Sequence, residues 1–406
     1  MILAFPGKYT VCYQGIWRDV VRGLLFSNRE ASLVVEKFEQ RFADYIGTRY
    51  AVATSSGRWG LYLILMSLGL QSDDEVLVPA ITHPSIPSVV KEAGARPVFV
   101  DSESDSFGLD INQLKNKISK KTKVIIATHL FGVPCDIENI VKIAKDKNIV
   151  VIEDCAHGVG VKVGGVKVGN FGKAAFFSLE TTKLINTLGG GMVTTNDYNL
   201  YASIKYQLSS YRLPTKPEML KKILRFFVHG LYSNRITFTL AVFPFIRFLS
   251  IFDINLIQTY KKLRRTRLDN YKIRFTGMQS VLGIKQLDEI DDRNKRIKDN
   301  INLLKERIQS PGIRFILKTP NMASVQYLFT FFIENNGIFK KLLLRKAIES
   351  ENRILELCPK LFGDNGEYNN SEQLHKRALQ ISVSADLNKN DILYLANAIE
   401  TVLKQL

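Results

Sequence analysis

The chain reads as an α/β protein, with a mostly parallel sheet covered by helices on both faces and a smaller α+β region at the C-terminus. Three observations predict this. Short Val/Ile-rich runs alternate with stretches of helical periodicity from about residue 35 to 198, the pattern of parallel strands buried on both sides. At 406 residues the chain exceeds what a single core usually holds, so two domains are the default. Beyond residue 267 short strands alternate with helices again, after one long polar-faced helix.

The elements follow in order. "ASLVVEKFEQRFADYIG" carries Val35, Phe38, Phe42 and Tyr45 at helical spacing and stops at Gly47. "YAVATSSG" is a short strand turning into a glycine loop, and "WGLYLILMSLG" is a helix. Then come strand "EVLVPA", a helix near "SIPSVVKEAG", strand "RPVFVD" and a helix within "DINQLKNKIS". Strand "KVIIATHLFG", helix "IENIVKIAKDKN", strand "IVVIEDC" and the runs "AAFFSL" and "GGMVTTND" complete the series. "GMQSVLGIKQLDEIDDRNKRIKDNINLLKERI" predicts the long helix, and "TFFIENN" and "LQISVS" predict strands of the C-terminal region.

Hydrophobic content of 46% and charged content of 23% fit a soluble globular protein. Cys12, Cys135, Cys155 and Cys358 lack C-x-x-C spacing, which argues against a zinc or iron–sulfur site and suits a reducing cytosol. The N-terminal "MILAFPGKYT" has no basic region followed by a long apolar one, so no signal peptide is expected. The formal charge is +17, and more than half of it lies between Pro214 and Arg267, where eleven Lys/Arg face only Glu218 and Asp253. So local an excess is not the footprint of a nucleic-acid binder, and "LRRTRLDNYK" is a weak reading element.

That basic segment breaks the α/β pattern. "ILRFFVHGLYSNRITFTLAVFPFIRFLSIFDINLI" is strongly apolar with arginines dotted through it. Its longest uncharged stretch, Ile236 to Ile246, falls short of the roughly 20 residues a membrane span needs, and Pro244 is expected to kink or end a helix. The expectation is an element lying on an anionic membrane surface, with helices packed on the body or on a partner subunit as the alternative.

Ligands of open α/β sheets bind at the carboxyl ends of the strands, and three groups of residues fall there. "TSSG" (54–57) ends a strand and opens a helix, whose N–H groups suit an anion. "EDCAH" (153–157) brings a carboxylate and an imidazole. "SLETTKLINTLGGG" holds Lys183 behind Thr181 and Thr182, with no further charge until Asp197. A phosphate cradle, a buried acid and an isolated lysine match what pyridoxal phosphate (PLP) requires: a Schiff-base amine, a carboxylate holding the pyridine nitrogen protonated, and a helix end for the phosphate.

The stretch "YAVATSSG…GLYLILMSLGL…DDEVLVPAITH…VIIATHLFGVPCDIENIVKIAKDKNIVVIEDCAHGVG…VGNFGKAAFFSLETTKLINTLGGGMVTTND" resembles the DegT/StrS-type sugar aminotransferases, a family of fold-type I PLP enzymes. The resemblance is dense from about residue 35 to 198 and implies a seven-stranded-type sheet. It also implies that Lys183 is the Schiff-base lysine and proton shuttle, that Asp154 pairs with the pyridine nitrogen, and that His157 stands near the ring hydroxyl. Ser56, Gly57 and Ser178 match the phosphate site, and His83 takes the place of the residue stacking on the ring. Bland readings stand beside these: His83 precedes Pro84 and fits a turn, His157 a core histidine, Ser178 a backbone-bonded hydroxyl.

Departures from the family pattern are informative. "SGRW" puts Arg58 and Trp59 where smaller residues are usual, and Arg58 faces either an anion or solvent. "YKIRF" puts Lys272 where an Asn normally reaches the neighbouring subunit's phosphate. The basic apolar insertion has no counterpart in ordinary members. The expected organisation is an N-terminal segment (1–34), a PLP-binding large domain (35–213), the insertion (214–266) and a small domain (267–406).

The resemblance implies a homodimeric, cytoplasmic transaminase moving an amino group from L-glutamate to a keto-sugar, nucleotide-activated or lipid-linked, for polysaccharide or lipopolysaccharide synthesis, with no metal. The alternatives are a PLP-dependent sugar dehydratase, whose branch replaces the lysine with histidine, and a non-catalytic membrane-docked regulator. Lys183 and the scattered cysteines argue against the first, and Lys183 together with Asp154 against the second.

Overall fold

The computed structural model describes residues 3–11, 13, 15–25, 28–251, 271–316, 322–351 and 355–406. Cys12, Phe252 and the rest of the insertion up to residue 266 lie outside the described residues.

Seven strands form the central sheet: β1 (Tyr50–Thr54), β2 (Glu75–Pro79), β3 (Arg96–Val100), β4 (Thr122–Thr128), β5 (Val150–Asp154), β6 (Ala174–Ser178) and β7 (Gly191–Thr195). Their order across the sheet is β1-β7-β6-β5-β4-β2-β3. The pairs from β6 through β5, β4 and β2 to β3 are parallel, while β7 runs antiparallel to both β1 and β6. Parallel strands need crossover helices, and these are the helical segments between the Val/Ile runs. The strands are buried almost throughout, which is why their sequences read as apolar runs rather than alternations.

Helices Asn28–Ile46 and Gly277–Arg307 pack together on one face of the sheet, where Phe38, Phe42 and Phe177 form edge-on aromatic pairs. Helix Gly57–Ser67 is buried on the other face with Trp59, Leu61, Leu63, Ile64 and Leu65. The C-terminal region builds a three-stranded antiparallel sheet from Arg314–Phe315, Leu328–Phe332 and Ala378–Ser382, backed by helix Lys389–Leu403. The strand expected in "TFFIENN" therefore starts two residues earlier and ends at Phe332; Asn335 adopts φ 54° and opens the next helix.

The insertion is helical. Helix Lys216–Ser233 opens with Thr215 accepting from Glu218 N while the Glu218 carboxylate accepts from Thr215 N, a reciprocal cap contributing about 1 kcal/mol. The next helical stretch does not break at Pro244. A wide π turn, Phe238–Val242, precedes helix Phe243–Ile251, so Pro244 falls in a first turn, where its missing N–H costs little.

One side of these helices packs on the body, with Met219, Phe226 and Phe238 buried. Arg235 points inward: it pairs with Asp391 at 2.6 Å, donates to Leu3 O and lies over the Phe5 ring.

Candidate active site

The ends of β1, β4, β5 and β6 open into one cavity of about 630 Å³, a usual size for a small-ligand site. Ser56, Gly57, Arg58, His83, Asp154, His157, Ser178 and Lys183 all line it. Of these, residues up to 127 apart in sequence meet there because the strand ends bring their loops together. Lys272 is exposed and is not among the lining residues of this subunit.

The phosphate-type corner is built by backbone. Ser56 caps helix Gly57–Ser67, its Oγ accepting from Trp59 N at 3.2 Å, which leaves the first N–H groups of the helix for an anion. Gly57 is needed for closeness, since a Cβ there would lie 2.9 Å from Phe177 O. Gly191 presses from the other side, where a Cβ would come within 2.4 Å of Gly57 N and of Ser56 C. Arg58 stacks over the Tyr271 ring at 5.4 Å, and Ser55 Oγ donates to Tyr271 O at 2.6 Å.

The glycines after Lys183 follow from the same geometry. Gly189 and Gly190 have φ of 95° and 135°, which side-chain-bearing residues rarely adopt, and a Cβ on Gly190 would strike the Phe275 ring at 2.4 Å. Helix Gly277–Arg307 pins this loop to the sheet. Gln286 Nε2 donates to Asn186 O and its Oε1 accepts from Asn186 N, Arg293 Nη1 donates to Leu184 O at 2.8 Å, and Gln279 Nε2 donates to Thr187 O.

Asp154 terminates β5. Its Oδ1 accepts from Ala156 N at 3.0 Å, and its carbonyl accepts from His129 N. Burial lifts its carboxyl from 3.8 to about 6, against the pull of the Ala156 N–H, Lys183 and His129. Burial likewise brings the Lys183 amine from 10.5 down to about 8, with Asp154 opposing.

His157 Nδ1 accepts from Phe131 N, so its remaining proton sits on Nε2. Burial first, and then the nearby charges of Lys183 and Lys8, hold this imidazole neutral, well below its ordinary value. Its ring stacks on Phe131 and meets Tyr327 edge-on. His83 both lines the cavity and serves the turn, its Nδ1 accepting from Ser85 N.

Beneath Asp154, Glu153 accepts from Gly169 N, Phe171 N and Gly172 N at 2.8 Å each and contacts His129 Nε2 at 3.1 Å. His129, Glu153 and Cys155 lie close enough together to resemble a metal set. Glu153's acceptor positions are taken by those four donors, which marks the cluster as scaffolding for the strand end.

Several lining residues carry no sequence signal. The N-terminal segment contributes Lys8, Tyr9, Thr10, Val11 and Tyr13, and the insertion helix contributes Arg225 and His229. Arg225 bonds Glu180 at 3.2 Å, and Lys8 pairs with Glu351 at 3.1 Å. The hydroxyls of Tyr9, Thr128, Thr181 and Tyr327 are buried, line the cavity and have no partner among the described residues. Unsatisfied buried hydroxyls are costly, so their sharing one cavity with Asp154 and Lys183 fits a cavity shaped for a polar ligand. The residue types around it, an amine, a carboxylate, a neutral imidazole and a helix end, fit PLP.

The profile of the DegT/DnrJ/EryC1/StrS aminotransferase family matches residues 31–400. The chain belongs to that family. It is 44% identical to GDP-perosamine synthase of Escherichia coli O157:H7 over 167 residues, covering 41% of this chain and 46% of that enzyme. The aligned stretch is thus about half the length of that relative. A longer alignment, 28% identical over 370 residues, covers 90% of this chain and 89% of dTDP-3-amino-3,6-dideoxy-alpha-D-galactopyranose transaminase of Aneurinibacillus thermoaerophilus. Streptococcus pneumoniae Spr1654 in its PLP form shares the fold with a TM-score of 0.78 at 20% identity, covering 99% of each chain. The aminotransferase from Psychrobacter cryohalolentis shares it equally, with a TM-score of 0.78 at 21% identity over 98% of this chain and 99% of that one.

Proposed function

We propose that this family member is a PLP-dependent aminotransferase moving an amino group from L-glutamate to a nucleotide-activated keto-sugar for cell-envelope glycan synthesis. The observation that carries the reading is the convergence of Lys183, Asp154 and the N-terminus of helix Gly57–Ser67 on one cavity. When bound, PLP supplies an aldehyde that carries the amino group and a ring that takes up electrons from the neighbouring carbon.

The chain's own residues supply the rest. Lys183, with its amine brought to about 8, is a nucleophile and a base near neutral pH, and it moves the proton at the substrate carbon in each half-reaction. Asp154 would hold the proton on the pyridine nitrogen. His157, neutral with its proton on Nε2, would be the donor for the ring hydroxyl, and His83 the residue beside the ring. Ser56, Gly57, Arg58 and Ser178 would hold the phosphate. Lys183 also disfavours the dehydratase reading, although the chain is 27% identical to GDP-4-keto-6-deoxy-D-mannose 3-dehydratase of Yersinia pseudotuberculosis over 322 residues.

In this reading residues 35–213 carry the cofactor, residues 267–406 form the small domain, and two subunits associate so that Lys272 reaches the partner's phosphate. The enzyme works in the cytoplasm, with the insertion resting on an anionic membrane. Among the described residues no helix is long and apolar enough to cross one. Each basic residue near anionic lipid contributes roughly 1 kcal/mol.

The test needs no sugar. PLP-loaded protein mixed with L-glutamate should release one equivalent of 2-oxoglutarate per subunit and lose its yellow absorption in a single turnover. Failure of PLP-loaded protein to release any 2-oxoglutarate would overturn the reading as written.

A further inference from the structure

Two helices far apart in sequence expose apolar arcs that no described residue covers. On helix Lys216–Ser233, Leu220, Leu224, Phe227, Val228 and Leu231 recur at helical spacing, each between 42% and 66% exposed. On helix Ile16–Leu24 and its cap, Trp17, Val21, Leu24 and Leu25 do the same, between 45% and 80% exposed. The arcs join, because the Trp17 ring lies 5.4 Å from that of Phe226 and 6.0 Å from that of Phe227. Beneath the junction Ile16, Val20, Met219, Phe226, Met278 and Leu282 form a buried cluster that fixes the two helices together.

The borders of this face are cationic. At 100° per residue, Lys216 and Lys221 flank the arc of the insertion helix, while Arg18 and Arg22 border one side of that of the N-terminal helix; all four are exposed. The acids of the same segments are withdrawn. Glu218 is clamped by Arg212 through two bonds of 2.7 Å, and Asp19 is buried against Tyr13. An apolar arc bordered by Lys and Arg, with the acids of the same segments withdrawn, is complementary in charge to anionic phospholipid.

We infer that the face shared by helices Ile16–Leu24 and Lys216–Ser233 is the surface that docks on anionic lipid. The inference rests on the membrane reading above and extends it to an N-terminal helix outside the insertion. It also fixes an orientation. Arg225 and His229, on another side of the insertion helix, line the cavity, so the cavity wall and the lipid-facing arc are separated by one helix diameter, about 10 Å.

Trp17 is a built-in reporter. The chain has two tryptophans, and Trp59 is 1% exposed. Full-length protein should float with phosphatidylglycerol-containing vesicles at low salt and be released as salt rises, and brominated lipid should quench the Trp17 share of the emission. Val21→Glu/Leu25→Glu and Leu224→Glu/Val228→Glu should each lower vesicle partitioning at least tenfold while glutamate-dependent 2-oxoglutarate release is unchanged.

If wild type floats but Trp17 is unquenched and Val21→Glu/Leu25→Glu still floats, the shared face is wrong and the membrane reading survives. If wild type fails to float, and the same variants turn dimers into monomers by light scattering, the face is a subunit interface and both fall. The aminotransferase reading, judged by the donor reaction, stands or falls separately.

Discussion

The strand ends around Lys183 and the outer face of helix Lys216–Ser233 are built on opposite terms. At the strand ends the backbone is tightly packed: Gly57, Gly190 and Gly191 leave no room for a methyl group, and Asp154 and Arg293 are held by named partners. On the helix, large apolar side chains stand between 42% and 66% exposed. Close packing fixes geometry to fractions of an ångström, as catalysis needs. An open apolar arc fixes nothing about geometry and provides only area and charge, which suffices for a fluid partner. Substitutions should therefore be ruinous in the first region and nearly silent for chemistry in the second.

The comparison is tested hardest at Lys183. Lys183→Ala should lower single-turnover donor conversion by about a thousandfold or more, since the nucleophile and the proton carrier are both lost. Circular dichroism and the melting transition should stay close to wild type. A variant converting glutamate at a near wild-type rate would remove the central assignment.

Next comes Gly191→Ala. Its Cβ would meet Gly57 N at 2.4 Å, so β7 or the phosphate loop must shift. We expect a loss of about 3 kcal/mol of stability and weakened PLP retention, measured by urea unfolding and by dialysis. Unchanged values for both would mean that the two backbones are not locked as described.

A pH profile sharpens the electrostatic side of the contrast. Burial depresses the Lys183 amine from 10.5 to about 8, so about a tenth of it is neutral at pH 7, against well under a thousandth for an exposed lysine. Because the neutral amine attacks, the rate of PLP uptake by cofactor-stripped protein should rise through pH 8 and level off near pH 9. For stability the sign follows from the depressed value. The cost of the buried ammonium is present below about pH 8 and is relieved as pH rises towards 10.5. Uptake that climbs steadily to pH 10 would mean that the amine is solvated.

The smallest effect is expected at Lys272, which is exposed and outside this subunit's cavity. Lys272→Glu should weaken PLP affinity by about tenfold, roughly 1.4 kcal/mol, if it faces the partner's phosphate, with no change in the subunit's own melting. Titration of cofactor-stripped dimer with PLP measures this, and an unchanged affinity assigns Lys272 to solvent.

Much of the catalytic side was legible in the sequence. Apolar strand runs, the glycine stretch after Lys183 and the acid closing "VVIED" each carry a local physical cause: burial on two faces, positive φ and a strand end. A strand-helix alternation then forces those ends to one edge of a sheet. Composition likewise marked the segment from residue 214 as strongly apolar and basic.

What the sequence could not decide was which neighbour each face would meet. Tyr9, Tyr327, Arg225 and the pinning residues Gln286 and Arg293 act across gaps of a hundred residues or more, or from unremarkable surroundings. Nothing local in their sequence distinguishes them from ordinary surface or core positions. The inward turn of Arg235, the passage through Pro244 by a π turn, and the joining of the Trp17 arc to the Phe227 arc are of the same kind. Helical periodicity determines which residues share a face, because that is set by 3.6 residues per turn. Only tertiary packing decides whether the face is buried, lines a cavity or is left to solvent, because that depends on contacts between segments distant in the chain.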